Sequence, residues 1–279
     1  MDRYRAAAHV DRARRRLALR RRSACAYLTP YDLRISTPRT LIVVPAFDEE
    51  ESLPATLKEL RAAVPTFDVV VIDDGSRDGT SDASTTGGAT PVRLPFNLGV
   101  GGAVRTGLHY ARDKGYERAV VIDADGQHEA AGITALLDAL DAGADMAVGS
   151  RFAPGATGFA IGRLRRQAMR LLAFTVRVIT GQRYTDTTSG FRAFNRPVIE
   201  LLAREYPAEY LADTVEALLI TRYAGFAVAE VPIAMRPRLG GTASTGRVKL
   251  VVNYLRLLVG IIGSASRRAR LVRHGRGPS

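Results

Sequence analysis

Short apolar runs alternate along this chain with stretches in which apolar residues recur every three or four positions. Thr40-Leu41-Ile42-Val43-Val44 is the first run, closed by Pro45. Val69-Val70-Val71-Ile72 is the second, Ala119-Val120-Val121-Ile122 the third and Asp145-Met146-Ala147-Val148-Gly149 the fourth. Val228 to Ile233 supplies another, with Pro232 near its end. Between them, residues 50–64 carry Leu53, Leu57, Leu60 and Val64 at helical spacing. Residues 102–114 read as a helix, and Ile133, Leu136, Leu137 and Leu140 mark the next. Residues 163–180 form a basic, apolar helix, and 211–223 a helix with Leu211, Val215, Leu218 and Leu219 inward. Thr185 to Phe194 reads as a loop and short strand. Brief apolar strands separated by amphipathic helices predict an α/β fold, a mostly parallel sheet covered on both faces.

Ligands of such sheets bind beyond the carboxyl ends of the strands. Three strands end there in acidic or turn residues, at 47–51, 73–78 and 123–129, and all are predicted to open onto one crevice. In Asp123-Ala124-Asp125-Gly126-Gln127-His128 the two carboxylates, two apart at a strand tip, point the same way. Together they suit one divalent cation with positions left for a diphosphate. In Asp73-Asp74-Gly75-Ser76 the carboxylates can accept base and ribose donors, and Gly75 lets the backbone approach a ligand; the same residues also make an ordinary turn and helix cap. Asp48 and Glu49 lie nearest the first strand tip and could reach a ribose or base, while the helix dipole accounts for Glu50 and Glu51. Asn97-Leu98-Gly99-Val100-Gly101-Gly102 is Gly-rich and opens a helix. It has Val104 where a dinucleotide fingerprint needs its third glycine, and it lacks the Lys-Ser/Thr of a P-loop. Close backbone packing or amides facing a sugar nucleotide both fit it. Cations follow: Arg151, Arg163, Arg165, Arg166, Arg192, Arg236 and Arg238, with Ser150 and Ser189 among them. Arginine suits phosphate geometry. His128, with no second histidine near, reads as structural.

Composition sets the surroundings. The 279 residues are 46% hydrophobic, enough for a substantial core, and carry a net charge of +12. Much of that charge is terminal: nine arginines in the first 22 residues, and Arg267, Arg268, Arg270, Arg273 and Arg276 near the end. Basic ends point to a polyanion, anionic lipid or nucleic acid, or to a solvated tail. Cys25 is the single cysteine, so no internal disulfide forms and a reducing compartment fits. The N-terminus has no apolar core of a secretory signal. The stretch from Val248 to Gly263 is interrupted by Lys249, Asn253 and Arg256, which leaves one helix face polar. Such a helix lies on a membrane or on the domain and does not cross a bilayer. The expected organisation is a basic extension over 1–36, a catalytic domain over 37–245 and an amphipathic basic segment over 246–279.

The order of motifs is itself informative. Val44-Pro45-Ala46-Phe47-Asp48-Glu49 comes first, then Val71-Ile72-Asp73-Asp74-Gly75-Ser76 with Asp78-Gly79-Thr80, then Asn97 and Gly99. The Asp123–His128 cluster, Gly149-Ser150-Arg151, Thr188-Ser189-Gly190-Phe191-Arg192 and Glu230-Val231-Pro232 follow. Over about 40–245 this resembles family two glycosyltransferases, and within them the dolichyl- and polyprenyl-phosphate sugar synthases. The resemblance implies a Rossmann-like glycosyltransferase A fold and a GDP- or UDP-linked sugar donor. It implies Mg2+ or Mn2+ on Asp125 and Gln127, with Asp123 close to the donor. It places Pro45, Ala46, Asp48, Glu49, Asp73 and Asp74 around the nucleotide, with Gly75, Asn97, Gly101 and Ala124 in the same donor-facing set. It places Arg151, Ser189 and an arginine of the 163–166 cluster, Arg166, near an acceptor phosphate. The family's frequent Tyr-Asn-Glu is Phe47-Asp48-Glu49 here, Val100 stands where a lysine is common, and the usual Arg-x-x-Gly-x-Ser-Lys ending appears as Arg238 to Ser244.

These features predict inverting transfer of a hexose to a polyprenyl phosphate at the cytoplasmic, inner face of a membrane. The enzyme would be peripheral, with a separate membrane protein as a candidate anchor and no nucleic acid partner. Arg236 or Arg238 would reach the leaving phosphates as their loop closes. An ionised lipid phosphate needs no general base; a hydroxyl acceptor would, and Asp213 and Glu216, three apart on one helix, are the candidates. Two other readings fit less well. A nucleotidyltransferase would want a basic Gly-rich loop after the first strand, where acids stand. A nucleic-acid binder has no use for the acidic crevice.

Overall fold

The computed structural model describes residues 38–157, 163–207 and 213–237. The basic extension and the segment 246–279 lie outside the described residues. Seven strands make one sheet in the order β3-β2-β1-β4-β6-β5-β7. They are β1 (Thr40–Ala46), β2 (Asp68–Asp73), β3 (Thr90–Arg93), β4 (Arg118–Val121), β5 (Met146–Ser150), β6 (Arg192–Asn195) and β7 (Val228–Pro232). The helices are α1 (Leu53–Ala63), α2 (Thr80–Thr86), α3 (Val100–Asp113), α4 (Gly132–Asp141), α5 (Arg163–Thr180), α6 (Arg196–Glu205) and α7 (Asp213–Tyr223). Every pairing is parallel except those of β6, which runs antiparallel to both β4 and β5.

The strands read as continuous apolar runs because both faces of the sheet are buried. Alternate residues point to opposite sides. Leu41, Val43, Val70, Ile72, Ala119 and Val121 join Leu108 of α3 and Val198, Ile199 and Leu202 of α6. Ile42, Val44, Val71, Val120 and Ile122 join Leu53, Leu57 and Leu60 of α1 and Ile133 and Leu136 of α4. The helical spacing of those leucines is what the sheet's second face requires.

Two features of the sheet position the site. The chain builds outward from β1 through β2 to β3, then returns to lay β4 on the other side of β1. A crevice opens at the carboxyl edge wherever the order reverses in this way. Pro45 marks the opening. The Val43 carbonyl accepts Ile122 N from the β4 side, and the Ala46 carbonyl accepts Asp74 N from the β2 side. Pro45, in step with Val43, therefore turns its nitrogen toward β4, two residues beyond the last β1–β4 pair. A missing donor costs nothing where the ladder has parted. The second feature is the reversed strand. Arg192, the first residue of β6, pairs with Val121 and Val148 near the ends of their strands. Residues 185–190 must therefore cross the carboxyl edge before β6 begins.

Candidate active site

The loops after β1 and β2 are tied together by polar side chains. Asp48 adopts a φ of 52°, and its Oδ1 accepts the Arg77 amide at 2.7 Å while its own amide donates to Ser76 Oγ at 3.0 Å. The amides of Glu49 and Glu50 donate to Thr80 Oγ1 and Asp78 Oδ2 at 3.0 and 3.1 Å. Asp73 is fully buried at the tip of β2. Burial works against its charge, but the hydroxyls of Ser76 and Ser81 and the Ser76 amide outweigh it and hold the carboxyl below its ordinary range. Asp74 has a structural use: its two oxygens accept the amides of Leu98 and Gly99 at 2.7 and 2.8 Å. It thereby fixes the Gly-rich loop, whose Asn97 accepts the same Gly99 amide. Burial raises the Asp74 pKa, and the neighbouring Asp73 charge adds to that rise. Gly75 has a φ of +76°, and a β-carbon there would lie 2.9 Å from the Phe96 carbonyl carbon, so no other residue fits. Pro45, Ala46 and Ala124 are buried, which leaves their backbone as the part able to meet a ligand.

The β4 tip supplies the acids. Asp125 is 7% exposed and its Oδ1 accepts the Gln127 amide at 3.0 Å. Asp123 and Gln127 are half-buried beside it. His128 Nε2 lies 3.6 Å from Asp123 Oδ2, with its ring centroid 5.1 Å from that of Phe191. Among the described residues no three His, Cys, Asp or Glu side chains gather as a closed metal cage. Asp125 with Gln127 instead offers a few hard oxygen donors at the edge of a crevice. Mg2+ or Mn2+ suits such a set when substrate phosphates complete its shell.

The antiparallel β6 brings a second layer to the same edge. A β-carbon on Gly190 would sit 3.4 Å from Asp123 Oδ1, and one on Gly101 would sit 3.2 Å from the Asp213 β-carbon. Asp123, Asp213 and the start of α3 are thus neighbours. Asp213, which a surface helix acid would leave in water, is 3% exposed. Burial, then the Asp123 charge, push its carboxyl from 3.8 up to about 6, against the Thr214 amide and the Arg192 charge. Glu216 is half-buried on the same helix.

A raised carboxyl favours the fold only while protonated, so this contribution is complete below pH 4 and is lost as pH climbs through about 6. Asp213→Asn is expected to be more stable than the parent at pH 7.5 by up to ~3 kcal/mol, two pKa units at about 1.4 kcal/mol each. The difference should vanish near pH 4 in denaturant melts. A gap that does not change with pH would show that Asp213 ionises without penalty.

Several expected phosphate ligands are engaged elsewhere. Arg151 grips Asp186 through Nε and Nη2 at 2.6 and 2.8 Å and Thr188 Oγ1 at 2.7 Å. Ser189 is 1% exposed, and its Oγ accepts the Phe191 amide at 3.3 Å. Arg192 is buried and donates to the carbonyls of Ser189, Thr187 and Thr214. It clamps backbone and carries no open charge for a phosphate, a correction to its place among the expected cations. Arg236 donates to the Gly126 carbonyl at 2.6 Å and pairs with Glu59. Arg166 is exposed on α5, where it and Arg170 line a cleft of about 460 Å3 with Phe152, Met169 and Tyr184. Arg238 and the side chains of Arg163 and Arg165 lie outside the described residues.

Asp186, Glu59 and Thr56 escaped the sequence reading, and Glu230, read there only as part of Glu230-Val231-Pro232, is found to accept the Thr185 and Asp186 amides. Asp186 stands in a run of Thr and Ser that carries no periodicity, and Glu59 is one of several helix acids.

The comparisons with known proteins agree with this fold. The model of the family described as Glycosyl transferase family 2 matches residues 41–202. The polyprenol monophosphomannose synthase of Mycolicibacterium smegmatis is 35% identical over 224 residues, 75% of this chain and 82% of that protein. The undecaprenyl-phosphate mannosyltransferase of Micrococcus luteus is 33% identical over 227 residues, 78% and 93% of the two chains. A crystal structure of glucosyl-3-phosphoglycerate synthase from Mycobacterium tuberculosis with Mn2+, UDP-glucose and phosphoglyceric acid superposes with a TM-score of 0.65 at 20% identity, covering 81% of this chain and 79% of that one. The fold is thus the glycosyltransferase A fold. With the strand-tip acids and helices in this order, the chain belongs to glycosyl transferase family 2 and is a glycosyltransferase.

Proposed function

We propose that this enzyme moves a hexose, with inversion, from a GDP- or UDP-linked donor to a polyprenyl phosphate. The observation that carries the proposal is the convergence of Asp48, Asp73, Asp123 and Asp125 on the carboxyl edge of β1, β2 and β4, in a chain a third identical to two polyprenyl-phosphate mannosyltransferases. Asp73 and Asp48 hold the loops that would receive the nucleoside. Asp125 and Gln127 would hold a divalent cation, whose charge would offset that growing on the leaving group. Asp123, beside Gly190 and close enough for its charge to act on Asp213, would meet the transferred sugar.

The acceptor side favours a lipid. Helix α5 holds five arginines and no acid in 18 residues. Its outward Leu171, Phe174 and Val178 are 55, 59 and 67% exposed, large for residues that normally hide. Beside them lies the cleft with Arg166 and Arg170. Apolar side chains among arginines suit an anionic membrane surface carrying a phosphate-headed lipid. No helix of the described residues is long and apolar enough to cross a membrane. We place the enzyme on the inner face, with an anchoring membrane protein as a candidate partner.

One observation favours a hydroxyl acceptor instead. Asp213, buried against Gly101 with its pKa near 6, has the poise of a general base. Donor turnover with Mn2+ or Mg2+ tests both readings, comparing polyprenyl phosphate in detergent with soluble saccharide acceptors across GDP- and UDP-linked hexoses. We expect nucleoside diphosphate release that requires the lipid phosphate and survives Asp213→Asn. Release driven only by hydroxyl acceptors, and lost in that variant, would replace the first reading by the second.

A further inference from the structure

We infer that Glu59 and Arg236 form a clamp that positions the Asp125–Gln127 loop, a role that rests on the proposal that this loop seats the donor diphosphate. The loop needs such support. Gly126 takes a φ of +70°, so the chain turns sharply there and leaves the sheet ladder, which ends for β4 at Val121. Its backbone groups must find partners elsewhere.

Helix α1 provides them from below. Thr56 and Glu59 are three apart and share a face. Thr56 Oγ1 donates to the Ala124 carbonyl at 2.9 Å, and Glu59 Oε1 accepts the Ala130 amide at 2.8 Å. One helix face therefore grips both ends of the loop. Arg236 holds the middle. Its amide donates to the Gln127 carbonyl at 3.0 Å and its Nε to the Gly126 carbonyl at 2.6 Å, while its Nη2 pairs with Glu59 Oε2. Met235 adds an antiparallel bridge to His128. Glu59 thus links the two halves of the clamp, binding the loop with one oxygen and the loop's second support with the other.

The ion pair itself contributes little to stability, because both side chains are about a third exposed, 32% for Arg236 and 30% for Glu59. Its value is geometric. Residues that orient ligand-bearing groups without touching the ligand typically change affinity by roughly 10–100-fold when removed. Here the guanidinium is directed to Gly126 and Glu59. Arg236 acts on the diphosphate through the loop and not as a phosphate cation.

The test is binding of GDP and UDP by calorimetry with Mn2+, in the full chain and in Glu59→Ala, Arg236→Gln, Arg236→Lys and the Glu59→Ala/Arg236→Gln pair. Alanine is a strong helix former, so the Glu59 variant should fold. Hydrogen exchange at the Gln127 and Ala130 amides, without ligand, reports the clamp independently. Each single variant should weaken Mn2+-dependent binding roughly tenfold or more. The double variant should be no worse than the weaker single, and exchange at Ala130 should accelerate. Lysine keeps the charge but not the fork, so Arg236→Lys should behave like Arg236→Gln. Full binding by Glu59→Ala, additive losses, or rescue by lysine would overturn the clamp and make Arg236 a direct phosphate ligand. A parent chain that binds neither nucleotide with Mn2+ would count against the diphosphate site itself. Unprotected loop amides in a parent that does bind would count against the clamp alone.

Discussion

Replacing Asp125 by alanine should lower donor turnover roughly a thousandfold or more, equivalent to ~4 kcal/mol of transition-state stabilisation. The reasoning is electrostatic. The leaving nucleoside diphosphate gains charge as the glycosidic bond breaks, and the donors able to seat a compensating cation at the β4 tip are few. Asp125 is the most enclosed of them, held at 7% exposure with its Oδ1 oriented by the Gln127 amide. An oriented carboxylate that needs no reorganisation during reaction is what makes such a group effective. The fold should tolerate the loss. The hydrogen bond its Oδ1 accepts from the Gln127 amide is local, and removing one of several clustered acids relieves repulsion. Melting temperature and far-UV spectrum should match the parent, and Mn2+-dependent nucleotide binding should fall along with turnover. Asp125→Asn, which keeps the amide contact, should be nearly as inactive. Turnover within tenfold of the parent in either variant would dismiss Asp125 as the anchor.

A second large effect is expected away from the acids. Asp186→Asn should destabilise the chain by roughly 3–5 kcal/mol at neutral pH, because it removes the carboxylate charge that faces the largely buried Arg151 guanidinium. The Asp186 side chain is fully buried and receives Arg151 through two parallel bonds, with the Arg151 and Thr188 amides adding to the set. Burial alone would raise its pKa, but the Arg151 fork outweighs burial and the carboxyl is held below its ordinary range. A lowered carboxyl stabilises the fold above its ordinary pKa and loses that contribution as pH falls through the folded value. The gap between parent and variant should therefore be widest at neutral pH and should close in acid. Glu230 backs the same loop, accepting the amides of Thr185 and Asp186. Arg151→Lys should recover little, since an ammonium cannot make two parallel bonds. Equal chemical-denaturation midpoints for parent and Asp186→Asn at pH 7 would refute the buried pair.

Helix α6 was within reach of the sequence and was missed. Asn195 caps it by accepting the Val198 amide, Pro197 sits in its first turn, and Val198, Ile199, Leu202 and Ala203 recur on its inner face. Helix α2, Thr-Ser-Asp-Ala-Ser-Thr-Thr, carries no apolar period and forms because its neighbours bury Thr80 and Ser84. Strand β3 is a mostly exposed edge without an apolar run. The acidic strand tips were visible because carboxylates after an apolar run are uncommon and their order along the chain is specific. The arginines expected near phosphates were not separable by sequence. Arg151, Arg192 and Arg236 differ only in what they meet after folding: a carboxylate, three carbonyls, and a loop with a glutamate.

The alternation of apolar runs and amphipathic helices determined, without any structure, that this chain would build a covered parallel sheet with acids along one edge. Those are local properties, set by side-chain period and by the few residues after each run. Tertiary structure alone decided that β6 runs backward, that Gly190 therefore lies against Asp123, and that Asp213 is buried within reach of its charge. Only there does it emerge that Arg236 meets Glu59, 177 residues away in sequence. Such pairings depend on which distant segments the core brings into contact, and no periodicity along the chain encodes them.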